Sequence, residues 1–124
     1  MAKFANDIVM DYGLNDIKAG VNRVFIGTAA GTTYAEAVTA AVGTLAVTTT
    51  NFTIANGDSS GRKITLAAAT ITVGTTGTIS HIFLAGTTGS GTLWLAGTCA
   101  PTSVTVSGTV ILAAWDADEI ADIA

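Results

Sequence analysis

The side chains able to do chemistry are few in this chain, and they are scattered. There is one histidine, His81, and one cysteine, Cys99. The carboxylates fall mostly near the two ends of the sequence. Zinc takes several nitrogen or sulfur ligands, and His81 with Cys99 is too few for one chain. A histidine repeated around a three-fold axis is the remaining metal reading. A half-buried structural histidine opening an apolar strand is the plainer one. Cys99 lies between Gly-Thr and Ala-Pro with no basic residue beside it, so nothing nearby activates the thiol. It reads as a small apolar filler near a turn. Asp116, Asp118 and Glu119 lack the glycine and the ligand order of a calcium loop. They read as a solvated end or a docking tail. No glycine-rich loop runs into a phosphate-binding lysine. No acid/base pair can be placed, so the expectation is a protein that is not an enzyme and carries no cofactor or metal.

Arg62-Lys63 is the one basic pair, beside the loop Asn56-Gly57-Asp58-Ser59-Ser60-Gly61. A charged pair on a strand edge resists the addition of a foreign strand. The same pair could hold a partner, or the acidic tail of a neighbouring copy. Both readings stand at this point.

The elements that position these residues are mainly β. Two apolar runs, Ile82–Ala85 and Leu93–Ala96, flank a loop of Gly, Thr and Ser, which is the pattern of a β-hairpin. The second run echoes the first: Phe83-Leu84-Ala85-Gly86-Thr87 against Trp94-Leu95-Ala96-Gly97-Thr98. Successive side chains of a strand point to opposite faces. Neither run alternates apolar with polar, so both faces of this hairpin need a cover. The cover is a helix of the same chain or another protein.

Before the hairpin, Asn6 to Ala19 reads as a helix, with Met10, Leu14, Ile17 and Val21 on one stripe and Gly20 at its end. It is the candidate cover for part of a sheet. Arg23 to Gly27 reads as a strand, and Thr33-Tyr-Ala-Glu36 as a capping box opening a short helix to about Ala41. Thr44 to Ile54, Arg62 to Ala68, and Ile71 with Val73 read as strands. Beyond the hairpin Pro101 breaks the chain. Ser103–Val106 and Thr109–Ala114 then form a last pair across Ser107-Gly108, closed by Trp115. Asp116 to Ala124 is an acidic end with a turn of helix. The expected fold is one β-sandwich or jelly-roll-like domain over residues 1–124. It has about seven or eight short strands behind an N-terminal arm and helix of residues 1–20.

Composition narrows the partners. Apolar residues make up 49% of the chain and charged ones only 11%, where about a quarter is usual. Thr and Ala are the two commonest residues, and Thr suits strands. So little charge suggests a surface that meets other protein. The net charge of −4 disfavours nucleic acid. From Ile64 to Trp115 there is no formally charged residue. A single cysteine excludes an intramolecular disulfide. The first residues meet an acid before any long apolar run, and no stretch approaches a membrane span. Folding in a cytoplasm without membrane contact is the expectation.

Several stretches in order carry a resemblance: Asn22-Arg23-Val24, Thr32-Thr33-Tyr34-Ala35-Glu36-Ala37, Ser60-Gly61-Arg62-Lys63-Ile64-Thr65, Ser80-His81, Leu95-Ala96-Gly97 and Ala114-Trp115-Asp116. This order resembles small virion structural proteins of tailed bacteriophages, among them head decoration or cement proteins. The resemblance implies a homo-oligomer, a trimer, on the major capsid protein at the virion head surface, assembled in the bacterial cytoplasm. It implies that the subunit bridges capsid subunits and stabilises the shell. Subunit-interface anchors would be Phe83 and Trp94 with Leu84 and Leu95, since aromatic side chains carry much interface energy. Capsid contacts would be Lys3, Phe4, Arg62, Lys63, Asp118 and Glu119. The alternatives are a tail, neck or fibre-base component, or a carbohydrate-binding β-sandwich for host attachment.

Overall fold

A computed structural model describes residues 7–58 and 60–120. Helix α1 (Asp7–Gly20) comes first, then β1 (Arg23–Gly27), the short helix α2 (Tyr34–Ala40) and β2 (Ala41–Ala46). A 3-10 turn (Thr49–Asn51) leads into β3 (Phe52–Asn56), followed by β4 (Arg62–Leu66) and β5 (Ala69–Thr72). The long hairpin is β6 (Gly77–Gly86) and β7 (Thr92–Val104); β8 (Thr109–Leu112) and β9 (Trp115–Ile120) complete the described chain. The fold is a mainly β, sandwich-like domain of antiparallel sheets. Four strands run in the order β2-β1-β6-β7, three in the order β3-β4-β9, and β5 pairs with β8. Among the described residues no helix is long and apolar enough to cross a membrane.

The period-two pattern decides what each face of the large sheet buries. Val24 pairs with Leu84 and Ile26 with Ile82, and these side chains join the main core. That core is shared with Phe52, Ile64, Leu66 and Ile71 of the smaller sheets and with Leu14 and Val21 around α1. The helical stripe therefore does what its spacing predicts: Met10 and Leu14 are buried. Phe25 pairs with Phe83 on the opposite face. There they meet Ala37, Ala40 and Tyr34 of α2.

This answers the question posed by the hairpin. Over β6 the second apolar face is covered by a helix of the same chain, and the helix is α2; on β7 Ala96 of that face stays exposed. Small residues at Ala37 and Ala40 let α2 lie close over the two Phe rings, and the Phe25 and Tyr34 rings meet edge to face at 6.1 Å. The N-terminus of α2 is held by Thr33, whose Oγ accepts from the Glu36 N–H at 3.2 Å, while Glu36 reaches back to the Thr32 N–H. The hairpin loop docks on the same helix. Gly91 has a φ of +88°, and a Cβ there would strike the Tyr34 ring.

Five expectations are corrected. Thr44 to Ile54 is not one strand: the 3-10 turn, closed by Thr48 N–H donating to Asn51 Oδ1 at 2.8 Å, splits it between two sheets. Pro101 does not break the chain but lies inside β7. It is tolerated because β7 is the last strand of its sheet and because the pairing slips there, between Ile79 and His81. A residue without an N–H is accommodated at an edge or a bulge. Ser103–Val106 does not pair with β8. Ser107 and Gly108 turn the chain instead toward β5, with Ser107 N–H donating to Val73 O at 2.9 Å and Val73 N–H donating to Gly108 O at 2.8 Å. Trp115 opens a strand and does not close one. The acidic stretch after it is β9, paired with β4 through Ile120, and not a helical turn.

Candidate assembly surface

Arg62 and Lys63 hold the domain together through Asp11, Asp58 and Asp116. Arg62 Nε donates to Asp11 Oδ1 at 2.8 Å, and Arg62 Nη1 donates to Asn56 Oδ1 at 2.8 Å. Lys63 Nζ donates to Asp58 Oδ1 at 2.6 Å and to Asp116 Oδ2 at 3.0 Å. Asp116 Oδ1 also accepts from the Thr65 hydroxyl at 2.8 Å. The bonds from Lys63 and Thr65 hold the Asp116 carboxyl below the usual carboxylate range. The bonds to Asp58 and then Asp116 raise the Lys63 ammonium. One basic pair on β4 thus ties α1, the loop after β3 and β9 to a single strand. The partners of Arg62 and Lys63 named here belong to this same chain.

The proposed anchors are distributed differently from the expectation. Phe83 and Leu84 have 0% exposure, so they cannot touch a second subunit; they are core residues of this domain. The sequence placed them at an interface because both faces of β6 are apolar, and α2 and the smaller sheets turn out to supply both covers. Leu95 is half-buried against the main core. Trp94 is 38% exposed. It occupies a slip in the pairing, since Leu93 is opposite Ala85 and Leu95 is opposite Leu84. Its indole covers Gly20 and reaches Gly86, leaving no room for a Cβ at Gly20. Asp118 lies opposite Ile64, and the backbone of Glu119 opposite Lys63. Lys3 and Phe4 lie outside the described residues.

The reactive residue types stay apart. His81 Nδ1 shares a hydrogen bond with the neighbouring Ser80 hydroxyl at 2.8 Å, and its ring stacks on Phe83 at 6.2 Å. Cys99 is half-buried, and burial pushes its thiol pKa up, away from the thiolate that a nucleophile needs. Among the described residues no three His, Cys, Asp or Glu side chains come together as a metal site.

What remains is a flank rather than a pocket of polar groups. β7 ends the four-stranded sheet, and β9 ends the three-stranded one. Leu95, Cys99, Val104, Val110, Leu112 and Trp115 pack against the core from these strands and from β8 while staying partly exposed. Outside them stand Val106 and Ile111, the latter 80% exposed. Sequence reasoning missed Ile111, although its place in Thr109-Val-Ile-Leu contained the signal. Val110 and Leu112 share one parity of the strand and Ile111 has the other. Comparison of the chain with protein-family models, with curated proteins and with solved structures found no match in any of the three.

Proposed function

We propose that this chain is a non-enzymatic structural subunit of a tailed-bacteriophage virion, of the head decoration or cement type. The observation that carries the reading is the uncharged part of that flank, β7 and β8. Every residue from Ile64 to Trp115 is formally neutral, and this run supplies β5 to β8. The surface of a free small domain is usually about 25–35% charged. A face without charge and with exposed Ile and Val side chains is suited to permanent contact with protein. The resemblance in motif order supplies the virion setting. The mechanism is mechanical: a subunit seated across neighbouring capsid subunits must be detached before they separate, which raises the barrier to shell rupture.

The test is to mix the purified protein with isolated heads that lack decoration and to sediment them. Co-sedimentation in saturable amount, with heads that survive higher temperature, is the expected result. Binding to tails or necks and not to heads would move the subunit to the tail. Binding to neither would end the virion reading.

A further inference from the structure

We infer that a second copy of this chain docks on the cleft between the later half of β7 and β8, with Ile111 as the central contact. The inference rests on the proposed assembly role, of which it specifies the self-association surface. The cleft holds about 230 Å³. It reaches down to Ile26, Ile79 and Ile82, and Cys99 and Leu112 form part of its walls. Ile26, Ile79 and Ile82 are buried core residues, so the cleft opens the main core toward the surface. Ile111 is on its rim and projects away from the core, 80% exposed. A second cleft, of about 520 Å³, shares Ile111 and Thr102 and continues the same face toward Thr105 and Gly108.

Two arguments select a second copy over a foreign protein. The first is charge. The chain carries −4, so two copies repel through most orientations. The face described here has no formally charged residue, and two such faces meet without burying a charge, which would be costly if unpaired. A basic partner would instead be drawn to the acidic residues of α1 and β9. The second argument is shape. Self-association needs each copy to carry both complementary surfaces, on one patch in a two-fold pair or on two patches in a ring. A projecting apolar side chain beside an apolar hollow meets that condition, because each copy offers both the knob and the hole. Large apolar side chains with 80% exposure are also the ones with most area left to bury.

The test is native mass in solution for the full chain, the Ile111→Asp variant and the Thr102→Arg variant. Thr102 is exposed on the opposite wall of the cleft, so neither substitution disturbs buried packing; near-UV circular dichroism checks the fold of each. The expected result is an oligomer for the native chain and a single-chain mass of 12.4 kDa for both variants. Alkylation of Cys99 by a maleimide should in parallel be slower in the native oligomer than in the monomeric Ile111→Asp protein. A monomeric native chain would overturn the inference. So would an oligomer whose mass neither variant changes. Head binding by a monomeric native chain would overturn the docking surface and leave the decoration role standing. A stable oligomer that ignores heads would do the reverse.

Discussion

Two five-residue segments of the hairpin have nearly the same sequence and opposite circumstances. Phe83-Leu84-Ala85-Gly86 ends β6, an interior strand, with Thr87 just beyond it; Trp94-Leu95-Ala96-Gly97-Thr98 lies on β7, an edge. Phe83, Leu84 and Ala85 are at 0% exposure, while Trp94 is 38% exposed. Ala96 is exposed and Leu95 is half-buried. The two segments run antiparallel: Phe83 is opposite Ala96, the two leucines, Leu84 and Leu95, face each other, and Ala85 is opposite Leu93, outside the second segment. Composition alone gives the two segments the same demand for cover. Position in the sheet satisfies one and leaves the other open. An apolar strand is therefore a statement about what must be covered, and sheet order decides by what.

The contrast can be broken with mutations at matched positions. The largest effect is expected from Phe83→Ala, which empties the space between β1, β6 and α2; a buried Phe truncated in this way costs about 3–5 kcal/mol. Trp94→Ala should cost less than half of that, because the indole has solvent on one side. Urea unfolding of both variants measures the gap, and equal losses would mean that β7 is as enclosed as β6. The glycines sharpen the comparison. A Cβ at Gly86 would run into the backbone carbonyl of Gly20, whereas at Gly97 it would meet only the Trp115 ring, at 2.8 Å. Gly86→Ala should thus cost about 1–3 kcal/mol through overpacking, and Gly97→Ala clearly less, as the indole can shift. Thermal melts of the two proteins decide the order.

The smallest effect concerns charge. Asp116 is held below its ordinary pKa by Lys63 and Thr65, so in acid the folded state binds fewer protons at this site than the unfolded one. The stability it contributes is complete above the unfolded value of about 3.9. It is lost as the pH falls through the lower folded value. Asp116→Asn should flatten the acid limb of a plot of unfolding midpoint against pH and leave the neutral region nearly level. An unchanged acid limb would mean that the Lys63–Asp116 bond does not persist in solution.

Local patterns in the sequence were enough for the elements whose partners are near. The stripe Met10, Leu14, Ile17, Val21 gave α1, the Thr33–Glu36 box gave the start of α2, and the Gly-rich break gave the β6–β7 turn. Pairings between distant segments were not legible, because nothing local distinguishes the partner of β8. Ser107-Gly108 is a good turn whether the chain returns on β7 or crosses to β5. The strand β9 was legible in principle. In Trp115-Asp-Ala-Asp the residues packed toward the core, Trp115 and Ala117, alternate with acids. The acids dominated the reading because their cations, Lys63 among them, lie some fifty residues back. The assembly surface was legible only as an absence of charge; its position needed the sheet order.

That order has a consequence in time. β1 lies between β2, which follows it closely, and β6. The ribosome must add all of β3, β4 and β5 before β6 emerges. At ordinary synthesis rates that delay is about 2–8 s. Throughout it, the nascent β1–β2 pair presents Val24, Phe25 and Ile26 along an edge with no strand to receive it. Every copy of this protein passes through an interval in which an apolar strand is finished and its permanent neighbour does not yet exist. Crowding of translating ribosomes on one message would bring such edges together, so yield in the cell should depend on how quickly the segment from β3 to β6 is translated.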